Sequence, residues 1–212
     1  MAKIYLIRHC ESEGNATRRT QAQVDANKLT MFVAVLAVIS VVVFFFHFKL
    51  TKERVAPIAK EKGLPIRVRI SLREVTTGVW EDMAWGNIAS EYPEANRVWA
   101  DTPWENITPG ASTFRQVAEN TIHCLRRIAT EVGENGAALA VSHSCTIKAT
   151  LCAVLGKPID HVKEFGHGDN TSVSLLNVDK DGNIAVEFMN DDSHLPSRLR
   201  RAWGGVAGSE IN

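Results

Sequence analysis

The chain has few cysteines and no excess of either charge, and each absence excludes a class of protein. Its 212 residues include four cysteines, which form no C-x-x-C pair and are too sparse for a disulfide scaffold. We therefore expect free thiols in a reducing compartment, the cytoplasm. Lysine plus arginine and aspartate plus glutamate both number 24, so the formal net charge is zero. That balance lacks the overall basic character of nucleic-acid-binding proteins, and we expect no nucleic-acid partner.

The sequence shows no internal repeats, and we expect no signal peptide in it. The opening residues MAKIYLIRH are too short and too soon charged for a signal peptide. A composition of 45% hydrophobic and 23% charged residues is that of a globular protein long enough to bury a sizeable core. We expect one domain over residues 1–196 and a flexible tail over residues 197–212.

Short apolar runs alternate with helical patterns along the chain. A capping box at Thr113 and Gln116 precedes a helical pattern that ends at Gly133, and a second helix is predicted over Cys145–Leu155. The prolines of Ser90–Pro109 predict a loop. The predicted strands are Lys3–Ile7, Ile66–Ile70, Ala137–Val141, Ser172–Val178 and Ile184–Met189. This alternation predicts an α/β fold: a single three-layer domain with a mostly parallel central sheet and helices on both faces.

Two histidines directly follow predicted strands. Arg8 and His9 come after Lys3–Ile7, and His143 comes after Ala137–Val141. Ligands of such sheets bind beyond the carboxyl ends of the strands. If the two strands are neighbours, both imidazoles and Arg8 meet in one crevice.

That crevice has the groups that phosphoryl transfer needs. An imidazole is a competent nucleophile, and the Arg8 guanidinium offers a charged fork for phosphate oxygens. A helix that starts near Ser144 would direct main-chain N–H groups at the same anion. Glu74 and Glu81 are candidates to protonate the leaving oxygen.

The residues leave other interpretations open. An Arg-His pair is often a solvated strand end, and His143 alone could be a structural histidine. His161, His167 and Asp169 suggest a metal, although their spacing matches no usual ligand pattern. Cys145 could be a thiol nucleophile whose pKa is lowered at the start of a helix.

Four motifs, in order, resemble those of the histidine phosphatase superfamily, the phosphoglycerate-mutase-like enzymes. LIRHCESEGN at 6–15 is similar to the opening motif, and LREVTTGVWE at 72–81 to the acid-bearing stretch. VSHS at 141–144 resembles the second-histidine motif, and DNTSVSL at 169–175 the closing strand. The resemblance covers about residues 1–27 and 55–195.

The resemblance assigns catalytic roles to matching positions. It implies that His9 is the nucleophile that becomes phosphohistidine, while Arg8 and Asn15 hold the phosphoryl oxygens. His143 would be the second histidine of the phosphate pocket. Glu74 would be the general acid for the leaving alcohol, and then the base for water.

Other positions depart from the family pattern. Cys10 and Ser144 stand where the family usually has glycine, and Ser144 is expected at the phosphate. A second phosphate-binding arginine is expected near Leu50, where Arg54 could substitute if the register shifts. Glu81 is expected to contact the catalytic side chains rather than the substrate.

The resemblance implies metal-independent hydrolysis of a small-molecule phosphomonoester, with no metal or organic cofactor. Phosphoglycerate mutase-type phosphoryl transfer is the alternative within the same chemistry. An inactive or membrane-associated family member is the alternative of a different class. The sequence leaves the substrate and the oligomeric state open.

The segment 28–50 is atypical, because Leu29–Phe48 carries no formally charged residue. One interpretation is a buried helix near Thr30–Ile39 followed by a buried strand near Val41–Phe48. A second is a membrane-spanning helix, for which twenty residues are long enough, but it would separate His9 from His143. A third is a non-native replacement within an ordinary family member.

Overall fold

The structure, a computed structural model, describes residues 1–9, 41–45, 59–60, 63–197 and 200. Its described strands form one mixed sheet. The strands are β1 (Ala2–Arg8), β2 (Val41–Phe45), β3 (Ile66–Val68), β4 (Ala137–Ser142), β5 (Val173–Val178) and β6 (Ile184–Asp191). They lie side by side in the order β3-β2-β4-β1-β5-β6.

The prediction of a mostly parallel sheet is only partly matched. The three pairings among β3, β2, β4 and β1 are parallel. β5 pairs antiparallel with β1 and with β6. The Asp179–Asn183 turn joins β5 directly to β6 as a hairpin, and a short connection of this kind requires antiparallel strands.

Four α-helices are described along their whole length, and Ala59 and Lys60 are helical as well. The four helices are α1 (Trp85–Glu91), α2 (Pro93–Asp101), α3 (Phe114–Val132) and α4 (Ser144–Val154), with short 3-10 helices at Ile70–Leu72, Gly78–Trp80 and Ile159–Glu164. The predicted capping box of α3 is confirmed, since Thr113 and Gln116 each bond the other's main-chain N–H through their side chains. Gly133 ends this helix with a φ of 77°.

The predicted loop over Ser90–Pro109 is wrong for most of its length, which α1 and α2 occupy. Pro93 is the first residue of α2, where a missing N–H costs no intrahelical hydrogen bond. Pro103 comes after the helix has ended at Asp101. The prolines therefore mark the ends of short helices rather than exclude helical structure.

The sheet carries hydrophobic side chains on both faces. Alternate residues of β1 point to opposite sides: Ile4 and Leu6 pack with α3 and α4, whereas Tyr5 and Ile7 pack in a second cluster that includes the helical Ala59. His9 and His143 follow the carboxyl ends of β1 and β4, the two central strands of the sheet.

The pairing of β2 tests the interpretations of the segment Leu29–Phe48. Its backbone pairs in parallel with β4 on one side and β3 on the other. The predicted strand is therefore confirmed over Val41–Phe45, while the predicted helix near Thr30–Ile39 lies outside the described residues. A membrane-spanning helix over Leu29–Phe48 is wrong, because five of its residues form an inner strand of the sheet. The non-native replacement stays a hypothesis.

Within the ranges that the structure describes, no helix combines the length and the apolar character that crossing a bilayer requires.

Candidate active site

His9 and His143 leave the sheet side by side. β1 and β4 are parallel neighbours, and their register places Arg8 opposite Ser142, one residue before each histidine. The His9 main-chain N–H donates to the Ser142 carbonyl at 3.0 Å. The two imidazole centroids are 4.7 Å apart, with the rings inclined at 58°. The predicted convergence of the two imidazoles is confirmed.

Arg8 is anchored beside this pair by a loop. Its Nη1 donates to the carbonyl oxygens of His167, at 3.3 Å, and Gly168. Gly168 has a φ of +61°, and a Cβ there would lie 2.5 Å from Ser172 Oγ, so the loop needs glycine at this point. The two carbonyls fix the direction of the guanidinium at the end of β1.

The electrostatics of the pocket keep His143 neutral. Burial, and then the nearby Arg8 guanidinium, lower the pKa of His143 to about 4. Its Nδ1 is shielded from solvent and has no hydrogen-bond partner among the described residues. A buried polar atom without a partner is costly, so a ligand oxygen or hydroxyl that satisfies it would bind favourably.

Glu74 lies across the N-terminus of α4. Its Oε1 accepts hydrogen bonds from the main-chain N–H groups of Val75 and Thr146, both at 2.9 Å. Its Oε2 accepts from the Cys145 N–H at 3.2 Å. The expectation that the first N–H groups of this helix face an incoming anion is therefore wrong for Cys145 and Thr146, because a carboxylate of the chain already occupies them.

A hydrogen-bonded chain of side chains runs along one side of α4. Ser144 Oγ lies 2.6 Å from His167 Nδ1 and donates to the His167 carbonyl at 3.2 Å. Lys148 Nζ lies 3.5 Å from His167 Nε2. Burial, Lys148 and Arg8 together lower the pKa of His167 to about 4. A neutral ring that carries its proton on Nδ1 would donate to Ser144 Oγ and accept from Lys148 at Nε2.

In this network the Ser144 hydroxyl has a protein partner. The residue is the first of α4, one position before the predicted start at Cys145. Its hydroxyl, however, is bonded to His167, so its expected contact with phosphate stays a prediction. Glu81 supports a turn, since its Oε1 accepts from the Thr77 N–H at 2.9 Å.

Two of the predicted phosphate-binding residues, Asn15 and Arg54, lie outside the described residues. Their expected roles stay predictions.

The thiol-nucleophile interpretation of Cys145 rested on a lowered pKa, and it is wrong. Burial, and then the Glu74 carboxylate, raise the pKa of this thiol to about 12. The helix N-terminus does not compensate, because Glu74 occupies its N–H groups. Within the described part of the chain, no cluster of three or more His, Cys, Asp or Glu side chains is placed to hold a metal.

Sequence reasoning missed Lys148 and the role of His167. Lys148 is the single charged residue of α4, and its side chain is buried. A lone lysine within an otherwise uncharged, buried helix is the signal that could have found it. For His167 the sequence indicates a loop residue or a metal ligand, and not a partner of Ser144.

Comparison with known proteins identifies the family. The sequence model of the histidine phosphatase superfamily (branch 1) matches residues 48–192. The chain belongs to this superfamily. Arg8 and His9 precede the matched stretch, but alignments with individual relatives cover most of the chain.

Two such relatives have named activities. Phosphoserine phosphatase 1 of Hydrogenobacter thermophilus is 26% identical, over 92% of this chain and 95% of its own length. Glucosyl-3-phosphoglycerate phosphatase of Mycolicibacterium vanbaalenii is 24% identical, over 80% of this chain and 81% of its own length. Both relatives are phosphatases, hydrolases of phosphate esters.

A solved structure supports the fold. YhfR of Bacillus stearothermophilus superposes with a TM-score of 0.81 at 23% identity, over 92% of this chain and 99% of that one. At this identity the likeness establishes the fold alone, an α/β domain of the histidine phosphatase type.

Proposed function

We propose that the chain hydrolyses small-molecule phosphomonoesters through a phosphohistidine intermediate on His9. The observation that carries the proposal is the pair of imidazoles 4.7 Å apart at the ends of adjacent parallel strands. Arg8, at the end of the same strand as His9, adds a fixed positive charge. Membership of the superfamily and the named phosphatase relatives support it.

In the first step, a ring nitrogen of His9 attacks the phosphorus and the bond to the leaving oxygen breaks. Glu74 gives its proton to that oxygen, so the product leaves as a neutral alcohol. Oε2 is the oxygen suited to this transfer, because its hydrogen bond from Cys145, at 3.2 Å, is the longer one.

In the second step, water replaces the alcohol. Glu74 takes a proton from the water, whose oxygen attacks phosphorus while the phosphorus–nitrogen bond breaks. Inorganic phosphate leaves, and His9 and Glu74 return to their initial states. The reaction balances without a metal or an organic cofactor.

The remaining residues of the pocket stabilise the transferring group. Phosphoryl transfer depends on the position of the phosphoryl group and on neutralisation of its charge. Arg8 supplies a positive charge for this at the carboxyl end of β1. Neutral His143 offers an N–H to a phosphoryl oxygen. Asn15 and Arg54 are proposed to complete the set, with the reaction taking place in the cytoplasm.

Hydrolysis of p-nitrophenyl phosphate in the presence of a chelator tests this function. We expect His9→Ala to lose all turnover above background, because no phosphoenzyme can form. The matched control is His123→Ala, a histidine exposed on α3, which should keep wild-type turnover. Equal turnover by the His9→Ala and wild-type proteins would refute the proposal. Phosphorus NMR of a reaction with 3-phosphoglycerate separates hydrolysis, which yields inorganic phosphate, from mutase-type transfer, which yields an isomer.

A further inference from the structure

A cavity of about 500 Å³ lies against α4 and shares residues with the surroundings of the histidine pair. Cys145, two residues after His143, lines it, and so does His167, whose carbonyl anchors Arg8. Three aromatic side chains form much of the remaining wall: Trp99, Phe114 and Phe165. An alcohol group leaving the phosphorus would find an adjacent space here, walled by aromatic and polar side chains.

Lys148 brings a buried positive charge to this cavity. The residue is 6% exposed and lines the cavity wall. Its Nζ lies 3.5 Å from His167 Nε2 and 5.8 Å from the centre of the Phe114 ring. In the described part of the chain, no carboxylate forms an ion pair with it. A buried ammonium without an anionic partner is costly, so an anion that reached it would be bound favourably.

The second lysine of the cavity is differently placed. Lys163 Nζ donates to the carbonyl oxygens of Ala100 and Asp101, at 2.8 and 2.5 Å. These carbonyls end α2, where a cation is favourable without any ligand. Lys163 therefore already has acceptors, whereas among the described residues Lys148 contacts only the imidazole of His167 and the face of the Phe114 ring.

We propose that Lys148 binds a carboxylate on the alcohol part of the substrate, and so selects phosphomonoesters that carry one. The inference rests on the proposed phosphatase function and assigns its substrate class. The single positive charge of the Lys148 ammonium matches the single negative charge of a carboxylate. The aromatic wall would contact the carbon skeleton between the two anionic groups.

Two pairs of matched esters test the proposal. One pair is 3-phosphoglycerate and glycerol 3-phosphate, which carry a carboxylate and a hydroxymethyl group at the same position. The other pair is carboxyphenyl phosphate and phenyl phosphate. Wild-type protein should prefer the carboxylate in at least one pair by about 10- to 100-fold in kcat/KM, the range of a charge-assisted hydrogen bond. Lys148→Met should bring that ratio close to one, mainly through KM.

Three comparisons make the result specific. Lys148→Arg keeps the charge and should keep a preference, whereas Lys163→Met, in the same cavity, should keep the wild-type ratio. Binding of the same esters to His9→Ala, measured by calorimetry with and without Lys148→Met, repeats the comparison without turnover. A preference lost in Lys148→Met alone supports the inference. No carboxylate preference in either pair, or an unchanged ratio in Lys148→Met, would overturn it.

Failure of the inference differs from failure of the function. If His9-dependent hydrolysis occurs without a carboxylate preference, only the role of Lys148 is wrong. If no ester is hydrolysed, the proposed function fails, and the calorimetric comparison alone decides whether Lys148 binds the carboxylate.

Discussion

Glu74 has two separable roles in this account, as the acid at the leaving oxygen and as the acceptor that caps α4. Glu74→Ala removes the acceptor for three main-chain N–H groups, those of Val75, Cys145 and Thr146. At about 1 kcal/mol for each partly buried donor, the free energy of unfolding should fall by about 2–4 kcal/mol. For a chain of this size the thermal midpoint should fall by roughly 5–15 °C.

Glu74→Gln separates the two roles. The amide oxygen can still accept at the Oε1 position, and only the 3.2 Å hydrogen bond from Cys145 is lost. Stability should therefore fall by about 1 kcal/mol. A glutamine cannot donate a proton to a leaving oxygen. Alkyl phosphates, whose alkoxide leaves poorly, should lose about 10²- to 10⁴-fold in kcat/KM, whereas p-nitrophenyl phosphate should lose much less.

The assay is a series of phosphate esters ordered by the pKa of the leaving alcohol, with calorimetric unfolding of each variant. Glu81→Gln is the matched control, since that carboxylate bonds the Thr77 N–H in a turn and should not change the dependence on leaving group. An equal loss for every ester in well-folded Glu74→Gln would refute the role of Glu74 as acid. An unchanged thermal midpoint in Glu74→Ala would refute its role at the helix.

Further predictions concern pH and backbone conformation. The pKa of His143 and of His167 is lowered to about 4, so the unfolded chain takes up these protons first as the pH falls. The free energy of unfolding should therefore fall between about pH 6.5 and pH 4, by about 3 kcal/mol for each histidine. Urea unfolding at several pH values should show a smaller fall in His143→Asn than in the wild-type protein. An unfolding free energy that rises as the pH falls, or an equal fall in the wild-type and His143→Asn proteins, would contradict the burial of a neutral His143. Gly78 has a φ of +60°, and a Cβ would lie 2.0 Å from the Pro109 carbonyl oxygen, so Gly78→Ala should cost more than about 2 kcal/mol. Gly86→Ala, in a helix with open space around it, should instead stabilise by about 0.5–1 kcal/mol in the same measurement, and similar effects of the two changes would count against this turn.

The convergence of His9 and His143 could be predicted because it depends on local patterns. Each histidine follows a short apolar strand, and the carboxyl ends of parallel strands meet at one edge of a sheet. The capping box of α3 was predictable for the same reason, since Thr113 and Gln116 are three residues apart. The sequence could also indicate the inner strand at Val41–Phe45, where uncharged β-branched and aromatic residues follow one another.

The arrangement around α4 could not be predicted, because it depends on contacts between distant residues. Glu74 reaches Thr146 across 72 positions of the chain, and His167 bonds Ser144 from a loop after the next 3-10 helix. From the sequence alone, the N–H groups at the start of α4 are predicted to bind the substrate phosphate, and no role is predicted for Lys148. The burial of Lys148 without a carboxylate partner among the described residues is visible only once the fold brings its neighbours together.

The central claim is that His9 carries the phosphoryl group. The most direct measurement mixes the protein with p-nitrophenyl phosphate, stops the reaction in alkali, and locates the phosphate by mass spectrometry of peptides. We predict an alkali-stable, acid-labile phosphate on His9 in the wild-type protein, more of it in Glu74→Gln when breakdown by water is slowed, and none in His9→Ala. Phosphate on another residue, or hydrolysis that proceeds without any phosphohistidine, would contradict the account.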